Sequence, residues 1–77
     1  MFLSEKETQA QQFILDNEIT TNEGLEMAEY FGGYNIDTYN KVIYSKTGMH
    51  SIEQLYNCAR DEFYFSDEVL NTFELQG

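Results

Sequence analysis

The sequence contains no proline, a single cysteine and a single histidine among 77 residues. One cysteine excludes an intramolecular disulfide and fits a reducing compartment. His50 and Cys58 have no further residues of their own kinds with which to form a nucleophilic or metal-binding constellation. We therefore expect no enzymatic activity, no catalytic residue, no metal and no cofactor. His50 is expected in a loop, and Cys58 is expected to pack as a small apolar residue.

Long hydrophobic runs are also lacking. No stretch approaches the roughly 18 consecutive apolar residues that span a membrane. The N-terminus carries Glu5 where a signal peptide has basic residues. The sequence therefore predicts a soluble, cytoplasmic protein that does not bind membranes.

Basic residues are scarce and acidic residues are abundant. Four Lys and Arg stand against 14 Asp and Glu, which gives a net charge of −10 and a pI near 4.1. Nucleic-acid binding depends on Lys and Arg that neutralise phosphates, so direct binding to nucleic acid is disfavoured and a basic protein partner is favoured. Seven acids lie in residues 1–31 and five in residues 61–77, whereas residues 32–60 carry a net charge of +1. The acidity is therefore concentrated at the two ends of the chain.

Aromatic content is high for so acidic a chain. Apolar residues make up 42% and aromatic residues 16% of the sequence, far more than an acidic disordered tail carries. The length suits one hydrophobic core. Residues 1–77 are therefore expected to form a single helical acidic domain.

Capping residues indicate where the helices begin. Ser4 and Glu7 fit a capping box that opens a helix from Glu5 to Asp16. Further helix starts are expected at Thr20-Thr21-Asn22, at Asn35, at the capping-box pair Ser51 and Gln54, and at Ser66. Gly32-Gly33 and Gly48 are expected to end the second and third helices.

Apolar residues spaced three and four apart predict which helix faces are buried. The expected inward positions are Ala10, Phe13 and Ile14, then Leu25, Ala28 and Phe31, then Ile36, Tyr39, Val42 and Ile43, then Ile52, Leu55 and Tyr56, and finally Val69, Leu70 and Phe73. Residues 62–65 are expected to be extended and packed across the helices. The sequence lacks a second strand candidate, so the predicted fold is all-α, a compact bundle of four to five short helices.

The acids have two interpretations. They can form ordinary solvated helix faces that serve solubility. They can instead form a surface that imitates the charge pattern of duplex DNA and binds the basic groove of a DNA-binding protein. The acids assigned to that partner-binding surface are Glu5, Asp16, Glu18, Glu23, Glu26, Glu29, Asp61, Glu62, Asp67 and Glu68.

A family resemblance favours the second interpretation. It covers roughly residues 18–66 and rests on Asn22, Leu25, Gly33-Tyr34, Tyr39, Ile43, Thr47-Gly48 and Ser51-Ile52-Glu53-Gln54, followed by the acidic and aromatic residues from Asp61 to Phe65. In these positions the chain resembles the central helical region of ArdA-type antirestriction proteins. Phages, plasmids and conjugative transposons encode that family, whose acidic dimers mimic B-form DNA and occupy the DNA groove of type I restriction-modification enzymes. No individual functional residue is carried over, because the matching positions are caps, terminators and core residues.

The resemblance implies an acidic DNA-mimic inhibitor from a phage or mobile element. Its partner would be a host defence or DNA-processing protein, with restriction-modification enzymes first and a CRISPR effector, a DNA-modification enzyme or a repressor as other basic partners. It also implies a homodimer. The alternative is a non-enzymatic adaptor or regulatory protein that binds its partner through an apolar patch, with acidity serving only solubility. Exposed aromatic side chains would favour the adaptor, and clustered carboxylates would favour the mimic.

Overall fold

The computed structural model describes residues 3–75, which form five helices and no strand. The helices are α1 (Glu5–Asp16), α2 (Asn22–Gly32), α3 (Ile36–Thr47), α4 (Ile52–Ala59) and α5 (Asp67–Thr72). Helix α3 packs against both α1 and α2, and α5 packs against α1. The domain measures 34 × 25 × 17 Å. The predicted all-α bundle of short helices is therefore confirmed.

Side-chain caps open every helix. The Ser4 hydroxyl accepts from the Glu7 amide at 3.2 Å, and the Glu7 carboxylate accepts from the Ser4 amide at 2.9 Å, which completes the predicted capping box. Thr21, Asn35 and Ser66 cap α2, α3 and α5 in the same way. These caps satisfy amides that have no partner inside the helix.

Only half of the second predicted capping box forms. Ser51 accepts from the Gln54 amide at 3.1 Å. The Gln54 side chain accepts from the His50 amide at 2.5 Å rather than from Ser51. The cap of α4 therefore also fixes the loop before the helix. His50 lies in this loop, as predicted.

The core contains side chains from all five helices. Its fully buried large members are Tyr39, Phe13, Ile14, Ile43, Ile52, Leu55 and Val69. Ala28, Ile36, Tyr56, Leu70 and Phe73 pack at its edge. Among the predicted inward residues Phe31 is the exception, because its side chain is 78% exposed.

Helices α1 and α5 end in the same unusual way. After α1 the amides of Glu18 and Ile19 donate to the carbonyls of Leu15 and Ile14, and after α5 the amides of Glu74 and Leu75 donate to those of Asn71 and Leu70. This is the Schellman arrangement, in which a residue with left-handed backbone dihedral angles, usually glycine, ends the helix. Here glutamates occupy the left-handed positions, with φ of 52° at Glu18 and 54° at Glu74.

The positive φ of Glu18 predicts that glycine at this position stabilises the protein. Glu18→Gly should raise the free energy of unfolding by about 0.5–1 kcal/mol, because glycine adopts positive φ without a steric penalty from Cβ. Urea unfolding followed by circular dichroism measures this change. The matched control is Glu26→Gly, which places glycine inside a helix and should lower the same quantity by about 1 kcal/mol. A lower free energy of unfolding in Glu18→Gly would contradict the claim that the backbone at Glu18 is strained.

Candidate functional site

The acidic C-terminal segment lies along the first helix of the chain. The Thr72 hydroxyl donates to the Glu5 carboxylate at 3.1 Å, and the Gln9 side chain donates to the Glu68 carboxylate at 3.0 Å. Since later residues of the segment meet earlier residues of α1, the two run antiparallel. The two acidic ends of the sequence are therefore neighbours in the fold.

The far end of this segment is fixed by one asparagine. Asn17 follows α1, and its side-chain nitrogen donates to the Tyr64 carbonyl at 3.0 Å. Its side-chain oxygen accepts from the Tyr64 amide at 2.7 Å. Two bonds from one side chain satisfy both backbone groups of Tyr64, so residues 61–65 are held against α1 without forming a strand.

Aromatic packing anchors the same segment beneath its surface. The Phe13 ring lies 5.0 Å from the Phe65 ring and 6.3 Å from the Phe63 ring, between centroids. The Phe65 ring also meets Tyr56 edge-on at 5.2 Å. The predicted packing of residues 62–65 across the helices is thus observed for Phe63 and Phe65, whereas Tyr64 between them is 63% exposed.

Most of the predicted acids lie on these two neighbouring segments. We call the surface formed by residues 5–18 and 61–74 the α1–tail face. It contains seven of the ten predicted acids, all of them exposed: Glu5, Asp16, Glu18, Asp61, Glu62, Asp67 and Glu68. Residues 5–18 extend over about 21 Å at the helical rise of 1.5 Å per residue, so these seven acids average one per roughly 3 Å. Duplex DNA has one charge per roughly 1.7 Å of axis. This density is lower than that of DNA, but it is higher than the one charge per roughly 4.5 Å of a helix with an acid at every third residue.

The other three predicted acids are not on the α1–tail face. Glu23 and Glu26 are exposed on α2, which packs against α3. Glu29 is only 7% exposed, so its assignment to the acidic surface was wrong. The helix turns about 100° per residue, so Glu29 lies only about 40° from the buried Leu25 while Phe31 lies about 120° away. Helix α2 therefore turns Glu29 inward and Phe31 outward, the reverse of both predictions.

Buried Glu29 belongs to a hydrogen-bonded cluster that joins three helices. Its carboxylate accepts from the Tyr39 hydroxyl at 2.6 Å and from the Gln11 side chain at 2.5 Å. The Gln11 side chain also donates to the Tyr39 oxygen at 2.9 Å. A buried carboxylate is tolerated when donors satisfy it, so this cluster fixes α2 on α1 and α3. Burial raises the pKa of the Tyr39 hydroxyl, and its hydrogen bond to Glu29 raises that pKa further.

The cluster predicts how stability depends on pH. Tyr39→Phe should lower the free energy of unfolding by about 1–3 kcal/mol near neutral pH, because Glu29 loses a donor. Because folding raises the pKa of Tyr39 above 10.0, the unfolded chain releases this proton first, and the Tyr39 contribution declines as pH rises above 10. The decline is at most about 1.4 kcal/mol per pH unit.

Urea unfolding of both proteins between neutral pH and the alkaline range measures this effect. The stability difference between wild type and Tyr39→Phe should narrow above pH 10. Tyr30→Phe is the matched control, because Tyr30 is 83% exposed. A stability difference between wild type and Tyr39→Phe that stays constant over the whole pH range would contradict the claim that folding raises the pKa of Tyr39.

A second surface lies between α2 and α3 and is largely apolar. Met27, Tyr30 and Phe31 on α2 are 59%, 83% and 78% exposed, and Tyr34 just after α2 is 50% exposed. The Tyr30 and Phe31 rings meet edge-on at 5.2 Å. We define the α2–α3 groove as the hollow beside Met27 and Phe31, lined by these two residues and by Thr20, Thr21, Glu23, Gly24, Ala28, Gly32, Thr38, Lys41, Val42, Ser45 and Lys46. This groove was not predicted, because Phe31 was expected to point into the core. The helical angle between Leu25 and Phe31 nevertheless indicates an outward position.

His50 and Cys58 are both exposed at the surface. The His50 ring stacks on Tyr44 at 4.4 Å. Cys58 is exposed, so the expectation that it packs as an apolar residue was wrong. Helix α4 ends one residue after Cys58, and its buried face is formed by Ile52 and Leu55. Among residues 3–75 no group of three or more His, Cys, Asp and Glu is placed to hold a metal ion.

Within residues 3–75, no helix combines the length and the apolar character needed to cross a membrane. Comparisons with family models, with curated proteins and with solved structures gave no match. The resemblance to ArdA-type antirestriction proteins therefore stays a prediction, and function has to be inferred from the surfaces.

Proposed function

We propose that the protein is a non-enzymatic inhibitor whose α1–tail face imitates duplex DNA and occupies the DNA groove of a basic host protein. The observation that carries this proposal is the antiparallel contact of α1 with the C-terminal segment, through Glu5 to Thr72 and Gln9 to Glu68. This contact places seven exposed acids on two neighbouring segments. A groove built to bind phosphates attracts such a surface at long range.

The structure of the face supports this proposal in a second way. The C-terminal segment is held by Asn17 and by the Phe13–Phe65 packing rather than by attraction between opposite charges. The groups that hold the two segments together therefore carry no positive charge, and Lys6 is the one Lys or Arg within residues 5–18 and 61–74. A preorganised negative surface loses little conformational entropy when it binds.

A type I restriction-modification enzyme is the first partner to test, given the resemblance of residues 18–66. A fluorescent duplex containing the recognition site would be bound to the methyltransferase core of the enzyme, and its anisotropy followed while the protein is added. We expect displacement of the duplex at low salt and weaker displacement at high salt, because the attraction is electrostatic. Failure to displace the duplex at low salt would contradict this choice of partner.

A second function is favoured by the exposed apolar side chains of α2. Met27, Tyr30 and Phe31 form the kind of patch that protein interfaces use. An adaptor or regulatory protein could bind through this patch while its acids serve solubility. The two functions differ in their response to salt, because an apolar contact does not weaken at high ionic strength.

A further inference from the structure

Tyr64 is an exposed aromatic side chain on the α1–tail face, and the imitation of DNA charges does not use it. Its side chain is 63% exposed. The two phenylalanines beside it in sequence, Phe63 and Phe65, both pack against the buried Phe13 ring. The chain therefore turns the first and third of three consecutive aromatic rings towards the core and leaves the second in water.

The backbone that carries this ring is fixed on both sides. The Asn17 side chain donates to the Tyr64 carbonyl at 3.0 Å and accepts from the Tyr64 amide at 2.7 Å. With both backbone groups bonded and both neighbours packed, the freedom that remains is rotation within the Tyr64 side chain. A tyrosine side chain has few rotatable bonds, so it loses little conformational entropy when a partner contacts it.

Carboxylates lie close to this ring along the chain. Glu18 follows Asn17 directly, and Glu62 lies two residues before Tyr64; both acids are exposed. Glu18 and Glu62 line one hollow together with Asn17, and Lys46 is the one base that lines it. Two carboxylates against one ammonium group leave an excess of negative charge beside the ring. Such a neighbourhood attracts a cation, and the face of an aromatic ring attracts it further.

We propose that Tyr64 determines part of the specificity of the α1–tail face by binding the guanidinium group of an arginine in the partner's DNA groove. This inference rests on the proposed function, because it names a chemical feature of the same partner. The guanidinium stacks on the Tyr64 ring while its N–H groups donate to neighbouring carboxylates. Arginine suits this contact better than lysine, because its charged group is planar and more weakly hydrated.

The chain already contains one contact of this kind. The guanidinium carbon of Arg60 lies 4.3 Å from the centre of the Tyr56 ring. That distance is well within the roughly 6 Å over which a cation and an aromatic ring attract each other. Tyr64 is more exposed than Tyr56, so its ring is accessible to an arginine from another molecule.

This contact would distinguish the protein from the DNA that it imitates. The phosphates of DNA attract Arg and Lys through charge and present no aromatic ring to either. Attraction between separated surface charges is screened by salt, whereas a close contact from which water is excluded is screened less. We therefore expect Tyr64 to contribute most visibly to binding at high salt.

Labelled oligoarginine and oligolysine of equal length test the preference, with binding to the full chain followed by fluorescence anisotropy. Tyr64→Leu should weaken oligoarginine binding by about fivefold and oligolysine binding by less than about twofold, as expected for the loss of one cation–π contact. Tyr64→Phe should leave both affinities unchanged, because phenylalanine keeps the aromatic face. Neither substitution alters the net charge of −10.

Tyr30→Leu is the matched control, since Tyr30 is an exposed aromatic residue of α2. It should leave both affinities unchanged, and circular dichroism checks that every variant is folded. Tyr64→Leu that binds oligoarginine as tightly as wild type, or that loses the same factor for both peptides, would overturn the inference. Equal losses in Tyr64→Leu and Tyr30→Leu would also overturn it, because the contact would then not belong to the α1–tail face.

Displacement of duplex DNA from the methyltransferase core separates this inference from the proposed function. At high salt Tyr64→Leu should compete about fivefold less well than wild type. If wild type fails to displace the duplex at low salt, the proposed function is wrong, and the peptide experiment still decides whether Tyr64 selects arginine. If wild type and Tyr64→Leu displace it equally well at high salt, the proposed function stands and the role of Tyr64 is wrong.

Discussion

Phe13→Ala should remove a large part of the free energy of unfolding of the domain. Phe13 is 1% exposed and packs against both Phe63 and Phe65. Removing a buried phenylalanine ring costs about 3–5 kcal/mol. A chain of this length has a total free energy of unfolding of about 4–12 kcal/mol. Thermal and urea unfolding followed by circular dichroism measure the loss.

The same substitution at Phe31 provides the control. Phe31 is 78% exposed, so Phe31→Ala should change the free energy of unfolding of the monomer by no more than about 0.5 kcal/mol. The comparison is made at a protein concentration low enough to keep both variants monomeric. Equal losses in the two variants would mean that α2 is rotated so that Phe31 packs inward. That outcome would also remove the exposed apolar surface of α2.

The helix starts could be predicted from sequence because they depend on short-range contacts. Ser4 and Ser66 accept from amides only three residues away, so a short window contains both partners of each bond. The same holds for Gly48, whose φ of 81° suits a residue without a Cβ at the end of α3. Local signals of this kind are independent of how the helices pack.

The burial of Glu29 could not be predicted in the same way. Glu29 is buried because Gln11 and Tyr39, which belong to other helices, donate to its carboxylate. No residue adjacent to Glu29 in sequence indicates those donors, and a glutamate on an amphipathic helix is ordinarily exposed. The outward position of Phe31, by contrast, follows from its angle of about 120° to Leu25 on the helix.

The site was predicted in part. The sequence shows that the acids are concentrated at the two ends of the chain, and acids from both ends were assigned to one partner-binding surface. The contact itself involves Glu5 with Thr72 and Asn17 with Tyr64, pairs separated by 67 and 47 residues. Such separations cannot be derived from helical periodicity. The left-handed Glu74, the remaining acid of the C-terminal segment, was likewise absent from the predicted set.

Reversing two charges on the α1–tail face should abolish most of the competition with DNA. Asp16→Lys with Asp67→Lys changes the net charge from −10 to −6 and places two lysines where the partner has basic residues. Like charges brought together at an interface cost several kcal/mol, so the affinity should fall by about 100-fold at low salt. Both positions are exposed helix residues, so the fold should persist. Displacement of labelled duplex DNA from the methyltransferase core measures the affinity.

The decisive comparison is with an equal change of charge elsewhere on the molecule. Glu26→Lys with Asp37→Lys also gives a net charge of −6, but it alters exposed residues of α2 and α3. If the α1–tail face is the binding surface, this second variant should lose no more than about threefold in the displacement experiment at low salt, against about 100-fold for the first. Equal losses in the two variants would show that only total charge matters, and would contradict a binding surface formed by α1 and the C-terminal segment.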